Sequence, residues 1–559
     1  MNEMQQYQRW LTATLTNAEL QEELTQIRDD AAAIEDRFYR ELEFGTGGLR
    51  GVLGAGTNRM NVYTVAKATQ GYSNYLKQGK EDPSVAIGHD SRIHSDDFAR
   101  TAAAVFAANG IQVYLYSRLM PTPALSFAVR DLHCDGGVVI TASHNPAKYN
   151  GYKVYGADGC QITTEAAKAI QQAIDGVDPF DDVRQQAFDA AVQAGRIQYI
   201  GKDTVDRYQA AVATASVLPE GIDKNVAIVY TPLNGAGISC VPRCLQENGF
   251  TNIIIPDEQK DPDGNFPTCP YPNPEVKEAL EVGLRWAEKM QSDLLLATDP
   301  DCDRVGAAVK DGTGYTLING NQMGVLLLDF ICKMRRQNGT MPQAPVAVKT
   351  IVTTPMAKRV ADHYGVQLID VLTGFKFIGE QIGLLEQKGE ADRYVFGFEE
   401  SYGYLSGSFV RDKDAVNGSL LICEMFAWYK AQGKSLVDVL DELYEQFGYF
   451  ESKLLSFQFE GADGFAKMQD LMRGLRENSP AEIAELQVEQ VIDYQNDETG
   501  LPRSNVVRFL LHGGAEAVVR PSGTEPKLKV YLTALGQGRQ EAADTTERLE
   551  RFVNEWIGK

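Results

Sequence analysis

The sequence predicts an α/β protein made of three similar mixed α/β domains in tandem and a fourth, α+β domain at the C-terminal end. One strand–helix–strand pattern recurs three times, and its copies are separated by roughly one domain length. The last hundred or so residues mix strands and helices without that pattern. A chain of 559 residues also accommodates roughly three to five domains at about 100–200 residues each.

Each repeat has an apolar strand, a helix closed by a glycine, and a second apolar strand. A glycine suits the left-handed position that ends many helices. Each repeat therefore indicates a βαβ unit in a largely parallel sheet. The three copies begin at Val85, Val226 and Val346, and their closing glycines are Gly110, Gly249 and Gly365.

We expect the domains to span residues 1–205, 206–318, 319–446 and 447–559. Ahead of the first repeat, residues 16–40 predict a helix that Asn17 or Thr16 caps. Within the second domain, residues 256–274 form a loop with too many prolines and turn residues for regular structure.

The composition limits the functions this chain can have. Its net charge of −22 repels nucleic acid and anionic lipid, so neither is expected as a partner. No apolar run approaches the roughly 18 residues of a membrane helix, and the polar start shows no signal peptide. We therefore expect a cytoplasmic protein. An anionic substrate would need its own local cluster of cations.

The eight cysteines lie singly and no Cys-x-x-Cys pair occurs. Cys240 and Cys244, the closest pair, fit core packing better than metal binding. Reduced, structural thiols are the expected state.

The segment 141–146, Thr-Ala-Ser-His-Asn-Pro, is the first candidate site. An apolar run at 138–140 predicts a buried strand before it, and Asn145-Pro146 ends that strand. Ser143 and His144 therefore lie at a strand end, where open α/β sheets bind ligands. Lys153 adds a cation nearby. On these residues alone, a capped turn with a satisfied histidine remains an alternative.

A second candidate site follows the apolar strand at 294–297. Asp299, Asp301 and Asp303 can converge on one hard cation, and without one they would repel each other. An EF-hand begins similarly but needs glycine and glutamate where this chain has Arg304 and Lys310. Cys302 is a spacer in this motif.

Further polar motifs can bind hydroxyl groups or an anion. Glu399 and Ser401 offer the acceptors and donor that vicinal hydroxyls need. Arg520 can bind a phosphate with two hydrogen bonds, and the turn containing Ser522, Gly523 and Thr524 forms an anion nest. Three weaker signals are the glycine-rich loop at 44–51 with Arg50, the turn at 371–376, and the Asp-Lys-Asp segment around Lys413, for which an exposed charge cluster is the alternative.

These motifs, in this order, resemble those of the α-D-phosphohexomutases. The resemblance implies four domains around a central cleft, a phosphoryl group carried on Ser143, and one Mg²⁺ per site bound by Ser143 phosphate, Asp299, Asp301 and Asp303. By the same resemblance Arg50, Arg304 and Lys413 reach the active site or the substrate. It also implies sugar contacts from the turn at 371–376 and from a recognition loop at 397–403, and a distal phosphate clamp near 520–527. These residues are Thr373, Gly374, Lys376, Glu399, Ser401, Arg520, Ser522, Gly523 and Thr524.

The implied activity is reversible conversion of glucose 1-phosphate to glucose 6-phosphate through a phosphoserine enzyme, with glucose 1,6-bisphosphate as intermediate and activator. Lys153 or His144 would take the hydroxyl proton, and the sequence leaves that choice open. Mannose phosphates remain an alternative substrate within the family. Pentose phosphates are another, because the chain length and the 397–401 loop also resemble the phosphopentomutase-like branch. A catalytically silent sugar-phosphate-binding regulator is the alternative from another class. We expect a monomer or weak dimer.

Overall fold

The computed structural model describes residues 1–559 except 46, 313, 460, 497–498, 523–526 and 559, and only the backbone of 461–463. The described chain forms four β-sheets of six, five, four and six strands. Three of these sheets combine parallel and antiparallel strands, whereas the fourth is wholly antiparallel. The predicted fold class, with three similar α/β units and a different fourth unit, is confirmed.

The first unit contains a six-stranded sheet in the order β1-β5-β4-β2-β3-β6. Its helices are α1 (Glu3–Thr12), α2 (Ala18–Gln26), α3 (Ala31–Phe38), α4 (Val62–Gly79), α5 (Ser95–Ala108), α6 (Thr122–Asp131), α7 (Thr164–Asp175) and α8 (Phe188–Gln193). Its strands are β1 (Gly48–Val52), β2 (Ser84–His89), β3 (Gln112–Tyr116), β4 (Gly136–Ile140), β5 (Tyr149–Gly156) and β6 (Ile197–Ile200).

The second unit has the strand order β11-β10-β9-β7-β8. Its helices are α9 (Lys202–Ala213), α10 (Val241–Glu247) and α11 (Lys277–Met290). Its strands are β7 (Ile228–Thr231), β8 (Ile253–Ile254), β9 (Leu294–Thr298), β10 (Val305–Asp311) and β11 (Gly314–Ile318).

The third unit has the order β13-β12-β14-β15. Its helices are α12 (Gly320–Gln337), α13 (Met356–Tyr364), α14 (Phe375–Gln387), α15 (Ala415–Ala431) and α16 (Leu436–Phe447). Its strands are β12 (Val346–Thr350), β13 (Gln367–Val371), β14 (Tyr394–Glu399) and β15 (Gly403–Leu405).

The fourth unit has the order β16-β21-β20-β19-β18-β17. Its helices are α17 (Gly461–Glu477) and α18 (Arg539–Gly558). Its strands are β16 (Tyr449–Gln458), β17 (Glu482–Ile483), β18 (Leu486–Asp493), β19 (Val507–Leu511), β20 (Ala515–Pro521) and β21 (Lys527–Gly536).

The internal repeat is confirmed and extends further than the sequence pattern indicated. In each of the first three units, three parallel strands lie in the spatial order second, first, third, as in β3-β2-β4, β8-β7-β9 and β13-β12-β14. An antiparallel strand follows the third each time: β5, β10 or β15. The closing glycines have positive φ, +79° at Gly110, +92° at Gly249 and +66° at Gly365.

The parallel strands form the hydrophobic core. Every residue of β4, β9, β12 and β14 is buried, as expected for strands covered by helices on both faces. One cluster of buried side chains continues through the first three units, from Val139 through Leu296 to Phe396. Because this core is continuous, the three sheets have fixed positions relative to one another, and so do the loops at their strand ends.

The N-terminal region corrects one prediction. Residues 16–40 form two helices, α2 and α3, instead of one. Asn17 caps the first, as predicted, by accepting hydrogen bonds from the backbone N–H groups of Glu19 and Leu20. The side chain of Asp30 accepts from the N–H of Ala33 and starts a second helix. A buried cluster containing Tyr7, Trp10 and Phe38 packs these helices together.

Of the helices in the described parts of the chain, none combines the length and the apolar character needed to cross a membrane. All eight cysteines are free and buried, as predicted.

Candidate active site

The candidate site is built on equivalent positions of the repeat. The loops that follow β4 and β9 carry Ser143 and the aspartate triad, and Glu399 is the last residue of β14, where the third such loop begins. Each loop lies at the carboxyl end of the third parallel strand of its sheet, where side chains can leave the core and face a ligand.

Ser143 lies on a tightly held turn after β4. It is only 4% exposed, and its φ of +50° is a left-handed conformation that side chains seldom adopt. Its hydroxyl donates to Asp299 Oδ2 at 2.9 Å and lies 3.1 Å from His144 Nδ1. Its backbone N–H donates to Thr141 Oγ1 at 2.8 Å. The nucleophile candidate therefore points at the acidic loop of the second unit.

His144 lies in a strongly cationic environment. Burial lowers its pKa well below the usual value, and the nearby Arg304 and Arg50 lower it further. The imidazole is therefore neutral near neutral pH and keeps a lone pair for a proton. Arg50, on β1, is held in the same region, because its Nη1 donates to Asn145 Oδ1 at 3.4 Å.

Asp299, Asp301 and Asp303 form one buried cluster. One carboxylate oxygen from each lies within 4.8 Å of the others, and their exposures are 0%, 0% and 1%. Asp301 Oδ1 and Asp303 Oδ1 are buried and have no hydrogen-bond partner among the residues that the structure describes. Buried carboxylate oxygens without partners are costly unless a cation or donor binds them. The cluster therefore fits a hard divalent cation, for which oxygen ligands are preferred.

The pKa values of two carboxyl groups in this cluster are shifted in opposite directions. Burial raises the pKa of Asp299 well above its usual value, and Asp303 and Asp301 raise it further. Burial alone would also raise the pKa of Asp303, but Lys153, Lys413 and Arg304 hold it well below its usual range. The site thus combines a carboxyl that favours its protonated form with a strongly anionic one.

Two lysines from different units bind this cluster. Lys153 Nζ, on β5, lies 2.7 Å from Asp301 Oδ2 and 3.1 Å from Asp303 Oδ2. Lys413 Nζ, in the loop after β15, lies 3.0 Å from Asp303 Oδ2. The side chain of Lys413 is only 12% exposed, which excludes the alternative of an exposed charge cluster. These contacts join three units at one point.

Arg304 follows the triad and pairs with Glu275, a residue that precedes α11. Its Nε also lies 3.8 Å from Asp303 Oδ1. Sequence reasoning did not single out Glu275. The Asn273-Pro274 turn before it is the signal that places a carboxylate at this helix start.

The recognition loop begins on the last residues of β14 and ends where β15 begins. Glu399 is 5% exposed and accepts a hydrogen bond from the Gly374 N–H at 2.9 Å. Burial raises the pKa of Glu399 to about 7, while Lys413 and Arg304 oppose the shift. Ser401 is half-buried on the same turn. Gly374 has φ +121°, so this donor depends on a backbone conformation that glycine permits.

The turn at 371–376 therefore contacts the recognition loop through Gly374. Thr373 Oγ1 is buried, and no described residue forms a hydrogen bond with it. Burial lowers the pKa of Lys376. Gly403, just after the loop, lies so close to Lys413 that a Cβ there would come within 2.3 Å of its Cδ. A side chain at position 403 would displace the lysine from Asp303.

The fourth unit contributes cations from β20 and β21. Arg520 pairs in register with Lys529, and the N–H of Ser522 donates to the carbonyl of Lys527 at 2.7 Å. Burial lowers the pKa of Lys529, and Arg520 and Arg304 lower it further. Lys529, which sequence reasoning missed, thus lies in the electrostatic range of the second unit's Arg304. Gly523 and Thr524, also predicted for this clamp, lie outside the described residues.

Two buried residues of the first unit hold the reacting groups and were also missed. Thr122 Oγ1 donates to Asp301 Oδ2 at 2.7 Å, and its N–H donates to the Asp301 carbonyl at 2.8 Å. Arg92 donates to carbonyls of the serine loop, including that of Ser143 at 2.5 Å. Arg92 lies in the loop after β2, three residues past its last residue, so the rule that sites form at strand ends could have indicated it.

Three repeated α/β units with a different fourth unit, and a buried serine that faces a carboxylate triad, match an enzyme of the phosphosugar mutase class. Models of this family match the chain in series: phosphoglucomutase/phosphomannomutase alpha/beta/alpha domain I at residues 41–179, domain II at 206–312, domain III at 319–447, and the C-terminal domain at 471–553. The chain belongs to the phosphoglucomutase/phosphomannomutase family and is an isomerase that transfers a phosphoryl group.

The chain is also similar to individual named proteins, one in sequence and two in fold. The chain is 38% identical over 519 residues to a phosphoglucomutase of Staphylococcus aureus (strain MSSA476), a match covering 89% of this chain and 91% of the relative. The fold is similar to that of a putative phosphomannomutase from Thermus thermophilus, with a TM-score of 0.69, 24% identity and coverage of 93% and 100%. It is also similar to an Aspergillus fumigatus N-acetylphosphoglucosamine mutase solved with GlcNAc-6P and magnesium, with a TM-score of 0.50, 16% identity and coverage of 93% and 96%.

Proposed function

We propose that this protein is a phosphoglucomutase that interconverts glucose 1-phosphate and glucose 6-phosphate through a phosphoserine at Ser143 and a glucose 1,6-bisphosphate intermediate. The observation that carries the proposal is the Ser143 hydroxyl, directed at Asp299 from 2.9 Å within a buried carboxylate triad. The choice of glucose is supported by the 38% identical relative, which is named a phosphoglucomutase.

The triad is proposed to hold one Mg²⁺. Asp299, Asp301 and Asp303 would bind it together with an oxygen of the Ser143 phosphate, and the unpartnered Asp301 Oδ1 and Asp303 Oδ1 support this. When bound, the ion supplies positive charge to the transferring phosphoryl group. Oxygen-only ligands favour Mg²⁺ over softer metals.

In the first half-reaction, phospho-Ser143 would give its phosphoryl group to the free hydroxyl of the sugar. The P–O bond to Ser143 breaks, a P–O bond to the sugar oxygen forms, and the hydroxyl proton passes to a base. Lys153 and His144 are the candidate bases, since both lie beside the reacting serine or the triad. Phosphoryl transfer depends on positioning and charge neutralisation, which Arg50 and the two lysines provide.

The second half-reaction requires the bisphosphorylated sugar to turn over, so that its other phosphate faces Ser143 Oγ. The P–O bond between that phosphate and the sugar then breaks, a P–O bond to Ser143 Oγ forms, and the proton held by the base passes to the sugar oxygen as the product is released. The site must therefore hold a distal phosphate in either orientation. The cations on β20 and β21 support this role, since Arg520 and Arg304 both act electrostatically on Lys529. Ser522, Gly523 and Thr524 are proposed to complete the clamp, with Arg304 and Lys413 nearer the reacting phosphate.

Sugar recognition is assigned to Glu399 and Ser401, with Thr373, Gly374 and Lys376 beside them. Glu399 has one oxygen engaged by Gly374, and its other oxygen can accept from a sugar hydroxyl. Because Gly403 leaves room for Lys413, the carboxylate and the ammonium can act in the same pocket. A carboxylate and a hydroxyl suit either orientation of a sugar with vicinal hydroxyls.

A coupled assay with Mg²⁺ and a trace of glucose 1,6-bisphosphate tests this proposal. It would compare glucose, mannose and ribose 1-phosphates by kcat/KM, using wild type, Ser143→Ala and the exposed control Ser117→Ala. We expect glucose to be strongly preferred, the control to be active, and Ser143→Ala to lose turnover. Preference for mannose or ribose would change the assigned substrate. No wild-type turnover on any sugar phosphate would overturn the function and favour a silent binding protein.

A further inference from the structure

The proline-rich loop at 256–274, here called the strap, has no role in the proposed mechanism, yet it packs onto the first unit. A Cβ on Gly264 would lie 2.4 Å from the backbone nitrogen of Ile93 and 2.7 Å from the carbonyl oxygen of Ser91. The ring centroid of Phe266 lies 5.1 Å from the guanidinium carbon of Arg92. Phe266 is 1% exposed. The strap therefore lies directly against the segment that carries Arg92.

Arg92 in turn holds the serine loop. Its Nη2 donates to the carbonyl of Ser143 at 2.5 Å and to that of Asn145, and its Nη1 donates to the carbonyls of Pro146 and Tyr149 at 3.0 and 2.9 Å. The two terminal nitrogens of one guanidinium group thus donate hydrogen bonds to four backbone carbonyls of this loop. This planar fork of donors is specific to arginine, and a lysine ammonium cannot reproduce it.

The serine loop needs such support because Ser143 has φ +50°. A non-glycine residue persists in that conformation only where its surroundings impose it. Arg92 holds its carbonyl side. Thr141 holds its N–H side, and Thr141 Oγ1 donates in turn to Asp90 Oδ2 at 2.6 Å.

The strap is also connected to the triad loop. The N–H of Asp263 donates to the Asn234 carbonyl at 3.0 Å, and the N–H of Ala236, two residues further along, donates to the Pro300 carbonyl at 2.7 Å. Pro300 lies between two triad aspartates. Backbone contacts therefore run from the triad loop to the strap, and the strap contacts Arg92.

We propose that the strap positions the active serine against the metal loop, with Gly264 and Phe266 fixing Arg92 and Arg92 fixing the turn at Ser143. Arg92, Gly264 and Phe266 are positioning residues, since none of them contacts the triad or the Ser143 hydroxyl. This inference rests on the proposed function, because it concerns how Ser143 is presented for phosphoryl transfer.

The test compares Gly264→Ala and Phe266→Leu with matched controls away from the strap. Gly71→Ala, in the first unit, also creates a clash with backbone, the Ile174 nitrogen and Cα each at 2.7 Å, and Phe250→Leu removes a buried ring that lies 5.6 Å from Lys224 Nζ. We expect the strap variants to lose about tenfold or more in kcat with KM within about threefold, because small misplacements at a reacting group cost up to about 100-fold. The controls should lower Tm comparably and leave kcat within about twofold.

Arg92→Ala adds a chemical-rescue arm. Its kcat should fall about 100-fold, and guanidinium ion, but not urea at the same concentration, should restore part of it. Arg92→Lys should remain as impaired as Arg92→Ala. If Arg92→Ala does not fold, the strap variants carry the test.

Hydrogen exchange of the peptide 141–149 gives a readout that does not depend on turnover. Exchange should be faster in both strap variants than in both controls. The positioning proposal is overturned if kcat and exchange in the strap variants match those of the controls while wild type is active. Wild type that converts no sugar phosphate would overturn the proposed function instead, and the exchange comparison would still decide the positioning role.

Discussion

The replacement Glu399→Gln should change how the stability of this protein depends on pH. Burial raises the pKa of Glu399 from its usual 4.5 to about 7. Between these two pH values the folded protein binds more protons at this site than the unfolded chain, so stability falls as pH rises through this window. Each pKa unit is worth about 1.4 kcal/mol, so the ionised carboxylate costs about 3 kcal/mol above pH 7. Glutamine keeps an acceptor for the Gly374 N–H and avoids this cost.

Thermal melts at one scan rate, at pH 5 and pH 8, would measure the effect. At pH 8 the Tm of Glu399→Gln should exceed that of wild type by several degrees, since about 1 kcal/mol corresponds to roughly 2–4 °C in a domain of 150–250 residues. At pH 5 the two should nearly coincide. Glu445→Gln, an exposed change on α16, is the control and should follow wild type at both pH values. An equal Tm difference at pH 5 and pH 8 would refute the reasoning.

Three further predictions concern the metal and phosphate sites. Thr122→Val should weaken Mg²⁺ affinity by about 10–100-fold, measured by calorimetry, because it removes the hydroxyl that orients Asp301; Thr122→Ser should retain affinity. Mg²⁺ should raise the Tm of wild type and of the exposed control Asp311→Asn but not of Asp299→Asn, and an equal rise in all three would place the ion elsewhere. Saturating glucose 1,6-bisphosphate should reduce the radius of gyration in X-ray scattering as the fourth unit closes, and an unchanged radius would exclude that closure.

The repeat and the fold class were predictable because they rest on local patterns. Apolar runs with closing glycines at 110, 249 and 365 mark the βαβ units, and the structure has left-handed glycines at those positions. The same logic failed for residues 16–40, where Asp30 starts a second helix. The apolar periodicity continues across residue 30, but the Asp30 side chain caps a new helix there and the first helix ends before it.

The positions of the candidate site residues at strand ends were predictable from the sequence, but the pairs of residues that contact each other were not. The sequence indicates that Ser143 and the triad lie at strand ends. It does not indicate that the serine bonds to Asp299 in particular, or that Lys413, 110 positions after Asp303, approaches the same carboxylate cluster. These pairings depend on how three sheets pack through one continuous core.

The sequence by itself determined the residue types of the chemistry and their placement on loops, because strand ends, prolines and glycines act locally. Which of these loops lie next to each other depends on the tertiary structure alone. The serine, metal and recognition loops all follow the third strand of equivalent units, and packing of those units brings the loops together. For the same reason, sequence reasoning missed four residues: Arg92, Thr122, Glu275 and Lys529. A strand end and a turn mark the positions of Arg92 and Glu275, but the distant partners that give all four residues their roles are not encoded in a local pattern.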